Sequence, residues 1–365
     1  FLSAAIAAEL YARNGRISGS TTRLETFRQC PFRHFARYGL GLRERDVYEF
    51  QSSDFGTLLH EILHGYGEWV RTEHDNDWVA AEAGGAAQID ALMQDLMPKI
   101  RSAVLMSSAG YRHRVERIRR TAQQVIRHLT SWARESSFHP HRFELSFGRR
   151  SDGVKVADFP LSNGMTLSLR GQIDRFDVTR DMGYYLVLDY KTGGTSLLLP
   201  EIRHGLKMQL LLYLFVVRSL LDGSSIPAGM LYVPAVNPVV SDDKRLDDDS
   251  LQKKIAAEMV LTGLLIKDEK IVKQIDAMGE HLCISFNKDS SFSKNSEKYI
   301  HSREEFEQLP TAFAEVKARG CRVTVLFLEA SDDVIVQRQE SNRRPLPLQY
   351  DGRLLDGIVR ERRLL

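Results

Sequence analysis

Two stretches decide the fold: Leu169-Arg170-Gly171-Gln172-Ile173-Asp174-Arg175 and, further along, Val187-Leu188-Asp189-Tyr190-Lys191-Thr192-Gly193. Asp174 and Asp189 each stand at the end of a short apolar run that predicts a β-strand. Burying a carboxylate beside a strand costs free energy unless another group pairs with it. Two carboxylates and Lys191 that converge at adjacent strand ends therefore favour a hard divalent cation acting on a phosphate.

The pattern around these stretches predicts an α/β protein. Apolar residues recur at helical spacing over residues 21–40, 55–70, 89–135, 207–221 and 251–275. Strands are predicted over residues 142–147, 165–178, 184–190, 229–234 and 320–330. We expect a central mixed sheet, built from the strands between residues 142 and 234 and flanked by helices, with the two aspartates at one edge of the sheet.

The composition is that of an ordinary globular protein. Hydrophobic residues make up 43% of the 365 positions, and the formal net charge of +2 does not by itself indicate nucleic acid. No apolar run approaches the roughly 18 residues of a membrane helix, so we expect no membrane contact. The three cysteines, Cys30, Cys283 and Cys321, lie far apart, which favours a reducing cytoplasm over a disulfide framework. Because the chain begins at Phe1, we expect it to be part of a longer protein.

Several further side chains could complete a site around the aspartates. Lys191 lies two residues beyond Asp189, on the same face of its strand, and could orient water or stabilise a phosphoryl transition state. His60 lies on the predicted helix 55–70 and offers an imidazole. Gln209 and Tyr213 are four residues apart and share a helix face. Glu144, on an earlier strand, is an additional carboxylate whose role as ligand or structural acid stays open.

Each of these residues has a more common structural explanation when taken alone. A single histidine on an apolar helix is more often a core residue, a tyrosine there usually packs, and an Asp-x-Lys sequence is usually a surface pair. The ordered combination of all of them is what favours a functional site.

That ordered set resembles the PD-(D/E)XK nucleases of the RecB type, and within them the nuclease domain of AddB, a subunit of a bacterial helicase–nuclease that processes double-strand breaks. The similar motifs are residues 18–25 with Cys30-Pro31-Phe32, then 56–60, 171–175, 189–193 and 209–213. The resemblance covers residues 16–303. It implies that His60, Asp174, Asp189 and the Tyr190 carbonyl hold Mg²⁺ or Mn²⁺. It also implies that Asp174, Asp189, Lys191, Gln209 and Tyr213 form the catalytic set.

The cysteines depart from this family pattern. Many AddB nuclease domains hold an iron–sulfur cluster through the cysteine of Cys-Pro-Phe, here Cys30, and three clustered cysteines near the carboxy terminus. This chain has only Cys283 and Cys321 besides Cys30, and it has no Cys-x-x-Cys. We therefore expect no four-thiolate cluster within this chain, and Cys30 would be a vestigial ligand.

The carboxy-terminal tail differs from the rest of the chain. We assign residues 1–303 to the nuclease domain and residues 304–365 to a segment that resembles part of the RapZ-type P-loop nucleotide-binding proteins, as in a fusion or chimera. The strand-like run 320–333, followed by Arg338, Arg343 and Arg344, carries this likeness. An ordinary strand and basic helix packed on the nuclease domain explain the tail equally well.

The sequence leaves three functions open. The first is a Mg²⁺-dependent deoxyribonuclease, acting as a single-strand exonuclease on DNA fed by an AddA-type helicase subunit during double-strand break repair. The second is an inactive module, derived from a truncated or chimeric AddB, that binds DNA or the helicase. The third is a nucleotide- or RNA-binding adapter formed by residues 309–365, against which the absence of a Gly-x-x-x-x-Gly-Lys-Ser/Thr phosphate loop argues.

Basic residues offer candidate contacts to DNA phosphates. The expected contacts are Arg112, Arg114, Arg117, Arg119, Arg120 and Arg127, together with Arg175 beside the predicted metal site. Such binding would weaken with salt and show little base specificity. A solvated helix face is the alternative explanation for the run from Arg112 to Arg127.

Overall fold

A mixed sheet of six strands forms the centre of the protein. The computed structural model describes residues 4–43, 51–99, 109–148, 157–160, 164–194, 196–242 and 247–306. Its strands are β1 (Arg16–Gly19), β2 (Phe138–Phe147), β3 (Ala157–Pro160), β4 (Thr166–Leu169), β5 (Gly171–Thr179), β6 (Tyr184–Lys191), β7 (Ile226–Pro234), β8 (Thr262–Ile266) and β9 (Ile300–His301). The order in the central sheet is β2-β5-β6-β7-β8-β9, and its β6–β7 and β8–β9 pairs are parallel. The predicted α/β fold with a mixed sheet is confirmed.

Helices pack on both faces of this sheet. The described helices are α1 (Ala4–Tyr11), α2 (Thr21–Gln29), α3 (Pro31–His34), α4 (Ser52–Glu73), α5 (Gly85–Leu96), α6 (Ala109–Glu135), α7 (Leu199–Arg203), α8 (Gln209–Leu220), α9 (Asp248–Glu258) and α10 (Glu269–Ile275). One apolar core joins the sheet to α4, α5 and α6, and a second core joins its other face to α8. Among the described helices, none has the length and apolar composition that crossing a membrane requires.

The predicted strand over residues 165–178 is wrong as a single element. Arg170 divides it, because β4 joins a separate three-stranded sheet of order β1-β4-β3 while β5 joins the central sheet. The Arg170 amide donates to the Gly19 carbonyl at 3.0 Å, which ties this division to the end of β1.

The predicted helix over residues 251–275 is also wrong, because its middle forms β8 between α9 and α10. Gly263 pairs with Leu231 of β7, and a Cβ at Gly263 would lie 2.1 Å from the Met230 carbonyl oxygen. A short apolar run of this kind cannot be distinguished from a buried helix by periodicity alone.

The predicted strand 320–330, Cys321 and the tail assigned to 304–365 lie outside the described residues, apart from residues 304–306.

Two buried histidines meet in the core between α6 and the loop after α10. The rings of His128 and His281 lie 5.1 Å apart in an edge-to-face arrangement. Within the described parts of the chain, their ring nitrogens His128 Nε2, His281 Nδ1 and His281 Nε2 have no hydrogen-bond partner. Burial, and secondarily the charge of His281, lower the pKa of His128 to about 4. His128 is therefore neutral in the folded protein at neutral pH.

This pair predicts a loss of stability in mild acid. The folded-state pKa of His128 lies below the ordinary value of 6.5, so the unfolded chain binds more protons between these values. The stabilisation is complete above pH 6.5 and is lost as the pH falls towards 4, with about 2 kcal/mol lost between pH 7 and pH 5. Urea unfolding of the wild type and of His128→Phe at both pH values measures this difference.

The exposed His204 provides the control for this experiment. A His204→Gln protein should keep the full acid sensitivity of the wild type, whereas His128→Phe should lose part of it. Equal acid sensitivity in the wild type and His128→Phe would contradict the assignment.

Candidate active site

The two aspartates of the sequence motifs come together where β5 begins and β6 ends. Arg175 of β5 pairs with Leu188 of β6, so that Asp174 and Asp189 are the next residues outward on the two antiparallel strands. Helix α4 approaches this point from one face of the sheet and α8 from the other. The site therefore lies at the ends of two central strands, and the expectation of a position at an edge of the sheet is corrected accordingly.

Both aspartates are almost fully buried, with 6% of Asp174 and 1% of Asp189 exposed. An oxygen of Asp174 accepts a hydrogen bond from the Tyr190 amide at 2.8 Å. Burial raises the pKa of Asp174, and the charge of Asp189 raises it further. Burial also raises the pKa of Asp189, while Lys191 opposes this effect. Positive charge beside these carboxylates is thus needed to keep both of them ionised.

His60 of α4 supplies one such charge. Its Nδ1 lies 3.3 Å from an Asp174 oxygen and 3.8 Å from a Glu144 oxygen, and its Nε2 lies 3.1 Å from the Tyr190 carbonyl oxygen. Burial lowers the pKa of His60, but the hydrogen bond to Glu144 and the surrounding carboxylates outweigh burial and raise it to about 9. An imidazolium here would have to lose its proton before the ring could bind a metal ion.

Glu144 reaches the same place through an unusual backbone conformation. Its φ of 45° lies in the left-handed region, between two residues of β2 that pair with β5 on either side of Asp174. Phe143 packs in one core, whereas Leu145 and Phe147 pack in the other, so the strand changes faces at Glu144. A non-glycine residue held this way costs roughly 1–3 kcal/mol, and such strain concentrates at functional sites. Nothing in the sequence signals this conformation.

Lys191 and α8 complete the other side of the site. The Lys191 ammonium forms an ion pair with Asp189 and donates to the Gln209 side-chain oxygen at 3.1 Å. The Gln209 amide nitrogen donates at 2.8 Å both to Asp189 and to the Tyr213 hydroxyl oxygen. Burial raises the pKa of Tyr213 well above its usual range, so this hydroxyl stays neutral. The structure therefore brings together the four residues that the sequence motifs singled out here.

The donor set suits a hard divalent cation. Ligand atoms of His60, Glu144 and Asp174 all lie within 4.8 Å of one another. Carboxylate and carbonyl oxygens are the ligands that Mg²⁺ and Mn²⁺ prefer, and one imidazole is compatible with them. The Asp189 oxygens, by contrast, are engaged by Lys191 and Gln209. Glu144, whose role as ligand or structural acid the sequence left open, thus lies beside the ligand atoms of His60 and Asp174.

Cys30, the proposed vestigial cluster ligand, has a structural contact here. Its sulfur accepts a hydrogen bond from the Arg33 amide at 3.4 Å, so it caps α3 where α2 ends. Cys30 and Cys283 are free thiols. A cap of this kind explains a polar atom at position 30 without any cluster.

Arg175 is not a phosphate contact, and that prediction is wrong. Only 3% of its surface is exposed, and its guanidinium donates two hydrogen bonds of 2.6 Å to Asp177. The guanidinium carbon lies 5.1 Å from the ring centre of Trp78 and 5.6 Å from that of Trp132. Arg175 is thus held inside the core that joins the sheet to α4, α5 and α6, where its guanidinium is engaged by Asp177.

Three arginines of α6 have contacts at the surface, two in ion pairs and one against an aromatic ring. Arg119 forms an ion pair with Asp90 at 2.9 Å, and Arg120 forms one with Glu116 at 2.9 Å. The exposed Arg117 stacks over the ring of Phe55, at 5.6 Å, in the first turns of the helix that carries His60. The expected contacts between this helix and DNA stay a prediction, with Arg117 placed beside the helix that enters the site.

One residue near the site has no role assigned by the motifs. Glu25 of α2 accepts hydrogen bonds from the backbone amides of Met208 and Gln209, at 2.6 and 3.1 Å. Its partners lie more than 180 positions away, so no local pattern could have revealed this contact.

Comparison with known proteins agrees with this geometry. The model of the PD-(D/E)XK nuclease superfamily matches residues 18–327. Similar proteins include a subunit of the ATP-dependent helicase/deoxyribonuclease of Pelotomaculum thermopropionicum, which is 34% identical over 317 residues covering 84% of this chain and 27% of that protein. The subunit of the same name from Caldanaerobacter subterraneus is 31% identical over 88% of this chain and 28% of its own length.

These matches confirm the similarity that the five ordered motifs predicted. The chain spans about a quarter of the length of the curated relatives it matches. What those relatives do as whole proteins therefore extends beyond the part that this chain represents.

Proposed function

The chain belongs to the PD-(D/E)XK nuclease superfamily, and from this premise we propose that it hydrolyses DNA phosphodiester bonds at Asp174, Asp189 and Lys191. The observation that carries the proposal is the convergence of two buried carboxylates, a lysine and a histidine at the ends of β5 and β6. Structural ion pairs rarely gather two nearly buried aspartates, because each carboxylate opposes the ionisation of the other.

The residues that would hold a divalent cation are His60, Glu144, Asp174, Asp189 and the carbonyl of Tyr190. We propose Mg²⁺ or Mn²⁺ on the basis of these oxygen and imidazole donors. The bound cation would supply a more acidic water and would offset negative charge on the phosphate.

Lys191, Gln209 and Tyr213 have different roles in the proposed reaction. Lys191, about a third exposed at its side chain while its partner Asp189 is buried, can reach a phosphate and stabilise the charge that develops in the transition state. Gln209 bridges Lys191 and Asp189 and so keeps the ammonium directed at the site. Tyr213 accepts a hydrogen bond from Gln209 and limits its rotation.

The expected substrate is single-stranded DNA delivered by a partner. The names of the relatives combine a helicase with a deoxyribonuclease, which supports a role in a helicase–nuclease complex with an AddA-type subunit for double-strand break repair. Arg117 would contact the phosphate backbone beside the site, and such contacts weaken with salt. Exonuclease action and a cytoplasmic location are part of the same proposal.

The alternative is an inactive module that only binds DNA or the helicase. Loss of activity by drift would leave the site incomplete, yet the hydrogen bonds among Asp189, Lys191 and Gln209 are all formed. We therefore prefer the enzyme.

Metal-dependent cleavage tests the proposal. The purified chain should degrade linear single-stranded DNA with Mg²⁺ or Mn²⁺, and EDTA should stop the reaction. Because the carboxylates repel one another without a cation, the same ions should also raise the melting temperature. Asp174→Asn should remove both effects, whereas Asp158→Asn, which breaks an ion pair with the exposed Arg16, should keep both. Circular single-stranded DNA, resistant to an exonuclease, serves as the substrate control.

A folded wild-type protein that leaves linear DNA intact under these conditions would favour the binding module instead. That protein should then still bind DNA, and a binding titration would measure this.

A further inference from the structure

Glu25 connects the amino-terminal helix α2 to the catalytic side of the sheet. One of its oxygens accepts from the amides of Met208 and Gln209, which begin the first turn of α8. These amides have no partner within a helix, because the first turn lacks preceding carbonyls. A carboxylate at this end of a helix also interacts favourably with the helix dipole. Glu25 therefore anchors the position at which α8 starts.

Glu25 anchors Gln209, and the side chain of Gln209 connects the other residues of the site. Gln209 uses its backbone amide for Glu25 and its side chain for Lys191, Asp189 and Tyr213. A shift in the first turn of α8 would move these side-chain contacts together. Since Met208 at the cap position offers no side-chain hydrogen bond of its own, Glu25 supplies the polar contact that this turn lacks.

We propose that Glu25 is a positioning residue of the nuclease, which acts through Gln209 to hold the Lys191 ammonium in place. The inference rests on the proposed function for its kinetic consequences. Among the described residues, the groups that interact electrostatically with Glu25 include Lys191 and Asp189 on β6 and Tyr232 on β7. Burial raises the pKa of Glu25, and the two amides and Lys191 oppose this effect. To anchor α8, the side chain at position 25 must place an acceptor oxygen at the two amides. The charge of this side chain matters less.

Two substitutions separate reach from charge. Glu25→Asp keeps the charge but withdraws the carboxylate from the amides, whereas Glu25→Gln keeps an acceptor oxygen at full reach without the charge. We expect kcat to fall about 10- to 100-fold in Glu25→Asp, with KM little changed, because small misplacement of a catalytic group has effects of this size. Glu25→Gln should stay within about threefold of the wild type, since its oxygen still accepts from the amides.

A matched control removes a helix cap elsewhere. Asp268 accepts hydrogen bonds from the amides of Lys270 and Ile271 at the start of α10. Asp268→Ala should reduce stability and leave kcat unchanged. Glu25→Asp would give this same result if Glu25 had only a structural role.

A double substitution tests whether Glu25 acts through Gln209. If it does, Glu25→Asp combined with Gln209→Ala should be no slower than Gln209→Ala alone. If the two substitutions lowered kcat independently, so that the double variant lost the product of the two single losses, the inference would be overturned. A kcat equal to that of the wild type in Glu25→Asp would also overturn it. Equal losses in Glu25→Asp and Glu25→Gln would overturn it as well, because charge would then be the property that matters.

Hydrogen exchange provides a readout that does not depend on cleavage. In metal-free protein, the amides of Met208 and Gln209 should exchange faster in Glu25→Asp than in the wild type and Glu25→Gln. Unchanged exchange in Glu25→Asp would contradict the anchor. Faster exchange in Glu25→Asp, together with a wild type that cleaves no DNA, would instead retain the anchor and reject the proposed function.

Discussion

Replacing Lys191 with alanine is expected to lower kcat for DNA cleavage by at least about 10²- to 10³-fold, the usual cost of removing a group that stabilises transition-state charge. Lys191 is the cation that meets both Asp189 and Gln209 at the exposed side of the site. Its loss leaves no ammonium at that position to offset charge on the phosphate. DNA binding should change little, because the proposed phosphate contacts elsewhere, such as Arg117, would carry most of the affinity. Single-turnover cleavage and a binding titration at fixed salt measure the two quantities.

Two further variants make the result specific. Lys191→Met keeps most of the side-chain packing without the charge, and it should be as inactive as Lys191→Ala. Lys273→Ala removes a lysine that forms an ion pair with Glu269 on α10, and it should cleave like the wild type. Cleavage by Lys191→Met within about twofold of the wild type would mean that the ammonium has no catalytic role.

The second large effect concerns stability. Arg175→Ala is expected to lower the free energy of unfolding by about 3–5 kcal/mol, because it leaves a buried charge without its partner. Asp177 is completely buried, and its two oxygens accept from the Arg175 guanidinium at 2.6 Å. The change also empties the space between Trp78 and Trp132. Denaturant unfolding at neutral pH measures the loss.

The double variant Arg175→Met with Asp177→Leu separates lost charge compensation from lost packing. Apolar residues of similar volume often replace a buried ion pair without loss of stability, so the double variant should recover most of the stability that Arg175→Ala loses. It should also keep DNA binding and cleavage, since the buried Arg175 pairs with Asp177 and is not exposed to a phosphate. A protein that folds stably but binds DNA weakly would restore Arg175 as a phosphate contact.

The sequence predicted which residues meet at the candidate site better than it predicted the elements around them. Asp174, Asp189 and Lys191 could be located because their strands are short, apolar and marked by motif residues. Gln209 and Tyr213 could be paired because helical spacing puts residues four apart on one face. Such predictions need only local geometry. The superfamily came from the resemblance of the ordered motifs to a known family, which the match over residues 18–327 confirms.

The errors share a different origin. The strand β8 was predicted as helix because a run of apolar residues has the same appearance in either element. The prediction of Arg175 as a phosphate contact is wrong because the burial of Arg175 depends on Asp177 and on two tryptophans from distant segments. A charged residue enters a core only where a partner is present to pair with it, and no local pattern reveals that partner.

By itself, the sequence determined which residues are the candidates for binding a cation and a phosphate, because spacing within one strand or helix fixes which side chains share a face. Only the tertiary structure decided how these residues meet. It set Glu144 in a left-handed conformation opposite Asp174, and it brought Glu25 to the first turn of α8. Both contacts join segments far apart in the chain, and such contacts form only when the packing of the whole sheet and its helices offsets the entropy of bringing those segments together.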